Sequence, residues 1–314
     1  MTNHLQSTPT KPFRILALDG GGAKGFYTIG VLKEIEAMVG QPLHQKFDLI
    51  FGTSTGAIIA ALLALGNSVD AIHALYKKHV PAVMSCRFRR TRTEALARLS
   101  NAVFGDLEFS EFKTGVGIVT AKWMSERPMI FKNSATRAHG SSATFDPGFG
   151  VPIADAVQAS CSAFPFFNRK FVTTSMGDKI ELIDGGYCAN NPTLYAIADG
   201  ISALEKHPSE LRVVNVGVGE YPKPKNRMVS MIKKIPFNSI DLLQKTLEIN
   251  TQSMDQLRTI LFKDVPTIRI SNVYSEPEMA TDLLEANLGK LNVLRQRGRE
   301  SFAKYEDELR AFLI

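Results

Sequence analysis

Histidine, cysteine and tryptophan are scarce in this chain of 314 residues, which contains six histidines, three cysteines and one tryptophan. The cysteines, Cys86, Cys161 and Cys188, are odd in number and lack the paired spacing of a zinc site. This excludes a disulfide-stapled scaffold and a cysteine-based metal centre. It indicates reduced thiols inside a cytosolic protein.

Long apolar runs are also missing. The run near the centre of the chain, residues 57–65, is far shorter than the roughly 20 residues that cross a bilayer. Residues 1–12 are polar and contain no apolar segment of a secretory signal, so we expect them to be disordered or extended. We therefore expect a cytoplasmic protein that is soluble or attaches to the inner face of a membrane.

The composition is that of a folded protein, with 44% apolar and 22% charged residues. The net charge of +6 favours an anionic partner, such as a phospholipid surface, a nucleotide or a nucleic acid, without choosing among them. Neither a fixed-period repeat nor a Gly/Ser-rich linker divides the chain. The sequence therefore predicts one domain over residues 13–314, with a helical C-terminal part.

Apolar segments of strand length alternate with segments of helical periodicity, which is typical of a mostly parallel sheet covered on both faces. The predicted strands are 13–18, 47–51, 116–121, 128–132, 180–183, 212–218 and 267–270. The predicted helices are 26–39, 57–65, 153–162, 193–204, 239–262 and 287–312. The helix at 57–65 is apolar on all sides, so we expect it to be buried.

Gly52-Thr53-Ser54-Thr55-Gly56 fits the G-x-S-x-G pattern of a nucleophile elbow. A nucleophilic serine needs a tight strand-to-helix turn, which crowds the positions two residues to either side and so favours glycine there. The following helix would direct its N-terminus at the site. The alternative is an ordinary turn in which Ser54 caps the helix.

Asp19-Gly20-Gly21-Gly22-Ala23-Lys24-Gly25 lies between a predicted strand and a predicted helix. Its glycines expose backbone N–H groups that would bind an oxyanion or a phosphate, and Lys24 adds a positive charge. Gly20, Gly22 and Gly25 also satisfy the dinucleotide fingerprint, but the acid that this fold requires is poorly matched by Asp48 at the start of its strand. A P-loop is excluded, because Phe26 and Tyr27 follow Gly25.

Asp184-Gly185-Gly186 follows the strand at 180–183, where a carboxylate would accept the proton of Ser54. An ordinary Asp-Gly turn is the alternative. Histidine is the usual base beside a nucleophilic serine, and only His207 follows Asp184 in the chain order of the α/β-hydrolases. Its polar surroundings are typical of a solvated loop.

These three blocks, together with Ala159-Ser160-Cys161-Ser162-Ala163-Phe164-Pro165, resemble the patatin-like phospholipase family over residues 13–220. The resemblance implies a three-layer α/β/α fold and a Ser–Asp dyad without histidine, with Ser54 as nucleophile and Asp184 as base. Gly20, Gly21 and Gly22 would supply the oxyanion N–H groups. Lys24 stands where the family often has arginine.

The implied activity is hydrolysis of the acyl esters of membrane phospholipids, without a metal or other cofactor. Gly25, Gly52, Gly56, Gly185 and Gly186 would support the motifs. The short chain is also similar to the bacterial patatin effectors of cyclic-oligonucleotide antiphage systems. That likeness implies activation by a cyclic dinucleotide, and a homo-oligomer is compatible with it. Two other classes stay open, a dinucleotide-binding oxidoreductase and a non-catalytic binding module.

Two basic stretches fit a phospholipid surface or a nucleotide phosphate. Residues 87–98 contain Arg87, Arg89, Arg90, Arg92 and Arg98 against Glu94. Residues 223–234 contain Lys223, Lys225, Arg227, Lys233 and Lys234, with apolar residues interleaved. Solvated faces are the alternative in both places. A nucleic-acid polymer is not expected as a partner, since neither zinc-finger spacing nor an RNP-like run is present.

Overall fold

The computed structural model describes residues 11–137, 146–222 and 237–314. The predicted disordered N-terminus (residues 1–10 of it) and the basic stretch at 223–234 therefore lie outside the described residues. Eight strands of the described part form one sheet. They are β1 (Phe13–Leu18), β2 (Leu49–Thr53), β3 (Gly115–Lys122), β4 (Arg127–Lys132), β5 (Lys170–Thr173), β6 (Lys179–Asp184), β7 (Leu211–Val216) and β8 (Thr267–Ile270).

The centre of the sheet is parallel. Strands β3, β2, β1, β7 and β8 run side by side in the same direction, so their carboxyl ends share one edge. Strands β4, β5 and β6 add antiparallel pairings. The mostly parallel sheet predicted from the alternating pattern is confirmed.

Helices cover both faces of the sheet. They are α1 (Gly25–Val39), α2 (Leu43–Lys46), α3 (Thr55–Ala64), α4 (Val69–Met84), α5 (Arg89–Phe104), α6 (Ile153–Ser160), α7 (Gly186–Ala189), α8 (Thr193–Ala198), α9 (Phe237–Leu261), α10 (Leu288–Ala303) and α11 (Glu306–Leu313). On β1, Leu16 and Leu18 pack into a core with residues of α1 and α3, while Ile15 packs with residues of α8. Successive residues of a strand point to opposite faces, so this division defines three layers, α/β/α.

Every residue of α3 is buried, as its all-apolar sequence predicts. Helices α4 and α5 and strand β5 were not predicted. The basic stretch at 87–98 begins just ahead of α5 and runs into it, and Arg92 is buried and donates to the Phe166 carbonyl oxygen, so this residue is not part of a solvated face. The predicted helix 287–312 is two helices that break at Lys304 and Tyr305.

Crossing a bilayer requires a long apolar helix, and among the described residues no helix meets both conditions. The longest, α9, carries charged and amide side chains along its length.

Candidate active site

Ser54 occupies a strained turn between β2 and α3. Its φ of 54° and ψ of −121° are rarely adopted by a residue with a side chain. A Cβ on Gly52 would lie 2.3 Å from the Gly56 carbonyl oxygen, and a Cβ on Gly56 would lie 2.3 Å from that of Leu18. Only glycine fits at either position. The Ser54 side chain makes no capping bond to α3, so the turn is not a simple serine cap.

Ser160 holds this turn in place. Its hydroxyl accepts a hydrogen bond of 2.9 Å from the Ser54 N–H and donates one of 2.6 Å to the Val119 carbonyl oxygen. Ser160 is fully buried at the end of α6. It therefore ties the strained turn to β3, the neighbouring strand.

Register explains how Asp184 reaches Ser54. Strand β2 pairs with β3 up to Val119, and β6 pairs with the next three residues of β3, beginning at Thr120 opposite Asp184. Strand β4 pairs with β3 from Gly117 to Lys122 on the other side, a range that overlaps both the β2 and the β6 pairings, so β6 and β2 occupy the same edge of β3. Asp184 thus lies just beyond the end of β2, where Ser54 begins the turn.

The Asp184 carboxyl group is buried, and Asp184 lines the same small cavity as Ser54. Burial raises its pKa to about 7, although the 2.7 Å hydrogen bond from the Gly186 N–H and the polar Ser54 side chain favour the carboxylate and lower that pKa. A carboxylate with a pKa near 7 is well matched to accept a proton at neutral pH.

The glycine loop lies beside the same serine. A Cβ on Gly20 would lie 3.3 Å from the Ser54 Cβ, and Gly22 has a φ of +58°. The Gly20 N–H donates to the Asn190 carbonyl oxygen at 2.9 Å, so this one of the three predicted oxyanion donors is already engaged. Within the described residues, the N–H groups of Gly21 and Gly22 have no acceptor. They are therefore available to an incoming oxyanion.

An apolar cavity of about 60 Å³ opens beside Ser54 and Asp184. Its walls come from α3, α4, α5, the segment after α6, α9 and the segment before α10, and include Ile58, Val83, Leu99, Phe167, Leu247 and Leu284. The lining suits an acyl chain. The volume is far below the roughly 300 Å³ at the lower end of small-molecule sites, so the cavity must widen before a chain enters.

A second cavity, of about 690 Å³, lies on the other side of the glycine loop. It is bounded by that loop, the segment after β7, α9 and β8, and its lining combines polar and charged side chains with apolar ones. Gly21, Asn190, Leu247 and Leu283 line both cavities.

The structure places His207 away from the site. It precedes β7, at the amino edge of the parallel strands, whereas Ser54 follows the carboxyl end of β2. Its ring Nδ1 hydrogen-bonds the Ser209 hydroxyl at 2.8 Å, and its side chain is exposed. His207, the alternative base of a Ser–His–Asp triad, is therefore not part of the candidate active site.

The dinucleotide interpretation also disagrees with the geometry. The Asp48 carboxylate accepts a 2.7 Å hydrogen bond from the Arg14 N–H at the start of β1. This places Asp48 at the amino edge of the sheet, opposite the glycine loop, where it cannot contact a ribose bound at Gly20 and Gly22.

Three residues of the site were missed as functional positions. Ser160 lies in the block at 159–165, which predicts no role for it, Asn190 follows the Asp-Gly-Gly block, and Thr251 lies on α9. Asn190 donates to the Gly20 carbonyl oxygen at 3.3 Å and to the Thr251 hydroxyl at 2.6 Å. Their importance comes from contacts between residues far apart in the sequence.

A nucleophile elbow, a neighbouring carboxylate and a glycine loop at one sheet edge define a serine hydrolase of the α/β/α class. The chain belongs to the patatin-like phospholipase family, whose sequence pattern matches residues 16–197. This membership overturns the oxidoreductase and binding-module alternatives.

Two relatives are similar to this chain. A cUMP-AMP-activated phospholipase of Escherichia coli is 67% identical over 301 residues, which cover 96% of this chain and 94% of that protein. A cGAMP-activated phospholipase of Pseudomonas aeruginosa is 28% identical over 217 residues, which cover 65% of this chain and 62% of that protein.

Among solved structures, VipD from Legionella pneumophila matches 95% of this chain and 67% of its own, with a TM-score of 0.50 and 13% sequence identity. This similarity supports the fold alone.

Proposed function

We propose that the protein hydrolyses the acyl esters of membrane phospholipids, with Ser54 as nucleophile and Asp184 as general base. The observation that carries this proposal is the proximity of the buried Asp184, whose pKa is about 7, to Ser54 at a strained elbow that lines the same cavity. Family membership supplies the substrate class.

The geometry supports a two-step reaction. Asp184 accepts the Ser54 proton as Oγ attacks the acyl carbonyl, and the N–H groups of Gly21 and Gly22 stabilise the oxyanion. The alcohol leaves with the proton held by Asp184, which gives an acyl-serine. A water molecule, deprotonated by Asp184, then releases the fatty acid and restores Ser54.

Activation by a cyclic dinucleotide is the second part of the proposal. Identity of 67% over 96% of the chain to a cUMP-AMP-activated phospholipase supports it. An enzyme that acts from the cytoplasm on the inner face of its own cell's membrane would be toxic if always active. Such gating suits an effector of antiphage defence. We propose a single catalytic domain over residues 13–314 as the unit that carries both functions.

The test measures fatty-acid release from vesicles of phosphatidylethanolamine and phosphatidylglycerol, with and without cUMP-AMP. We expect nucleotide-dependent release by the wild type and a loss of about 10³-fold or more in Ser54→Ala and Asp184→Asn, because nucleophile and base act as a unit. The exposed Ser209→Ala and Asp178→Asn serve as matched controls.

Near-wild-type turnover by a folded Ser54→Ala or Asp184→Asn would remove that residue from the mechanism. High activity that no cyclic dinucleotide changes would refute the gating and leave the hydrolase assignment intact.

A further inference from the structure

Lys24 is a buried cation without a hydrogen-bond partner. Its side chain lines the cavity of about 690 Å³, and the residue is only 5% exposed. The nearest carboxylate, that of Glu248 on α9, lies 4.0 Å from its Nζ, beyond hydrogen-bond distance. No acceptor for Nζ lies among the residues that the structure describes. Burying an ammonium group in this way is costly unless an anion joins it.

The other charged side chains that line this cavity have ion-pair or hydrogen-bond partners. Arg269 contacts the Asp19 carboxylate at 3.0 Å and that of Asp255 at 3.8 Å. Glu220 accepts a 2.7 Å hydrogen bond from the Gln252 side-chain amide. Of the two cations in the described lining, Lys24 therefore has the longer ion pair, at 4.0 Å from Glu248, and is the one that we expect an anionic ligand to contact.

The volume and the lining point to a ligand larger than an inorganic ion. Sites for small organic ligands occupy about 300–1,000 Å³, and this cavity lies within that range. Side-chain amides and hydroxyls line the same cavity as Lys24, among them Gln244, Thr251, Gln256 and Ser271. Such groups hydrogen-bond to the edges of bases and sugars as well as to polar head groups.

Helix α9 connects this cavity to the catalytic site. Leu247 contributes to the acyl cavity, while Glu248, one residue further on, faces Lys24. On the same helix, the Asn250 side chain accepts a 2.8 Å hydrogen bond from the Asn190 N–H. The Thr251 hydroxyl accepts a bond of 2.6 Å from the Asn190 side chain.

These two bonds form a clamp on Asn190, and Asn190 in turn binds the glycine loop. Its carbonyl oxygen accepts the Gly20 N–H, and its side chain donates to the Gly20 carbonyl oxygen. A displacement of α9 would therefore reach both the acyl cavity, through Leu247, and the oxyanion loop, through Asn190.

We propose that the Lys24 cavity binds a phosphodiester and that α9 transmits its binding to the acyl cavity and the glycine loop. This inference rests on the proposed activation by a cyclic dinucleotide and assigns its site. A phosphodiester at Lys24 repels the Glu248 carboxylate and moves α9 outward. Leu247 then leaves the acyl cavity, and the Gly20 N–H is released from Asn190.

A binding experiment tests the site without requiring hydrolysis. The full chain carrying Ser54→Ala is titrated with cUMP-AMP, and separately with glycerophosphoethanolamine as the phosphodiester of a lipid head group. We expect Lys24→Met to weaken nucleotide binding about 10-fold or more. Glu248→Gln should tighten it several-fold, because it removes the competing negative charge. The exposed Lys78→Met and Glu308→Gln are the matched controls.

The two variants change affinity in opposite directions, so a Lys24→Met protein that fails to fold leaves Glu248→Gln as an independent test. Unchanged nucleotide affinity in both variants, or no nucleotide binding by the Ser54→Ala parent, would overturn the proposal. Lys24-dependent binding of glycerophosphoethanolamine alone would assign the cavity to the lipid head group and overturn the gating role.

Thermodynamic linkage between nucleotide binding and opening of the clamp tests whether α9 couples the Lys24 cavity to the catalytic site. If nucleotide binding opens the clamp, a variant whose clamp is already broken must bind nucleotide more tightly. We expect Asn250→Ala, in the Ser54→Ala chain, to increase nucleotide affinity several-fold. Equal or weaker binding would refute the coupling. Because every readout is binding, a failure here is distinct from a failure of the catalytic dyad.

Discussion

Asp184 is both buried and placed as the proposed catalytic base, and these two properties together set the pH dependence of the enzyme's turnover. Its pKa is raised to about 7, chiefly by burial. The neighbouring Cys161 thiol and Tyr187 hydroxyl stay neutral there, since burial raises the pKa of both, that of Tyr187 to about 12. Titration near pH 7 therefore belongs to Asp184.

The base must be ionised to accept the Ser54 proton, so activity is lost as the pH falls through the pKa of Asp184. We expect nucleotide-stimulated turnover to rise about 5-fold from pH 6 to pH 7 and about 10-fold from pH 6 to pH 8, and to level off above pH 8. The measurement is the pH profile of kcat on vesicles, with the protein shown to be folded at each pH. A profile that levels off already at pH 5 would contradict the assignment.

His207 offers a residue-scale test of dyad against triad. Its exposed position at the opposite sheet edge predicts that His207→Ala keeps most of the wild-type activity. The same assay measures it, with circular dichroism to confirm folding. A loss of about 10³-fold in a folded variant would restore a Ser–His–Asp mechanism.

The sequence suffices to predict Ser54 and Asp184 as a pair because each lies in a short motif with a local geometric reason. Ser160 and Asn190 could not be assigned in this way. Ser160 acts by bridging Ser54 to Val119, and Asn190 by joining Gly20 to Thr251, across separations of 41 to 170 residues. The sequence around a polar residue in a helix or turn does not indicate a hydrogen-bond partner that lies far away in the chain.

At the scale of secondary-structure elements, segments with a clear apolar pattern could be predicted from the sequence. Segments of mixed apolar and charged composition could not. Strands β1 and β8 have the predicted bounds. Helix α5 is rich in arginine and hides its apolar residues, Leu96 and Leu99, among charges, so its periodicity is weak. Strand β5 has one buried residue, Val172, and leaves Phe171 exposed, which gives no alternating apolar signal.

The clamp between α9 and Asn190 predicts a change in basal activity. Removing either bond, by Asn250→Ala or Thr251→Val, should raise turnover without nucleotide several-fold, because the Gly20 N–H and Leu247 are then held less firmly. Fatty-acid release without nucleotide measures this, with the exposed Thr246→Val on the same helix as control. A fall in basal turnover with normal folding would show instead that the clamp supports the active state.

For the molecule as a whole, the sheet edge that carries Ser54 also exposes aromatic and basic side chains. Trp123 follows the end of β3, and its ring lies 4.7 Å from the Arg169 guanidinium. Arg169 also contacts the Glu181 carboxylate at 3.0 Å, opposite the exposed Phe171 on β5. Exposed amphipathic rings beside arginines are typical of surfaces that enter the interface of a bilayer.

The last prediction is that this aromatic–basic surface docks on anionic membrane. We expect Trp123→Ala/Phe171→Ala to weaken binding to phosphatidylglycerol vesicles about 10-fold or more, because burying such a ring contributes roughly 1.5–3 kcal/mol. Arg169→Gln should cost less, about 1 kcal/mol, and added salt should reduce its effect. Vesicle co-sedimentation measures both, with the exposed Val293→Ala on α10 as control.

The basic stretch at 223–234 stays a rival prediction: if replacing its five cations abolishes binding while the aromatic double variant binds normally, docking belongs to that stretch. Equal binding of the wild type to neutral and anionic vesicles would count against an electrostatic contribution from either surface.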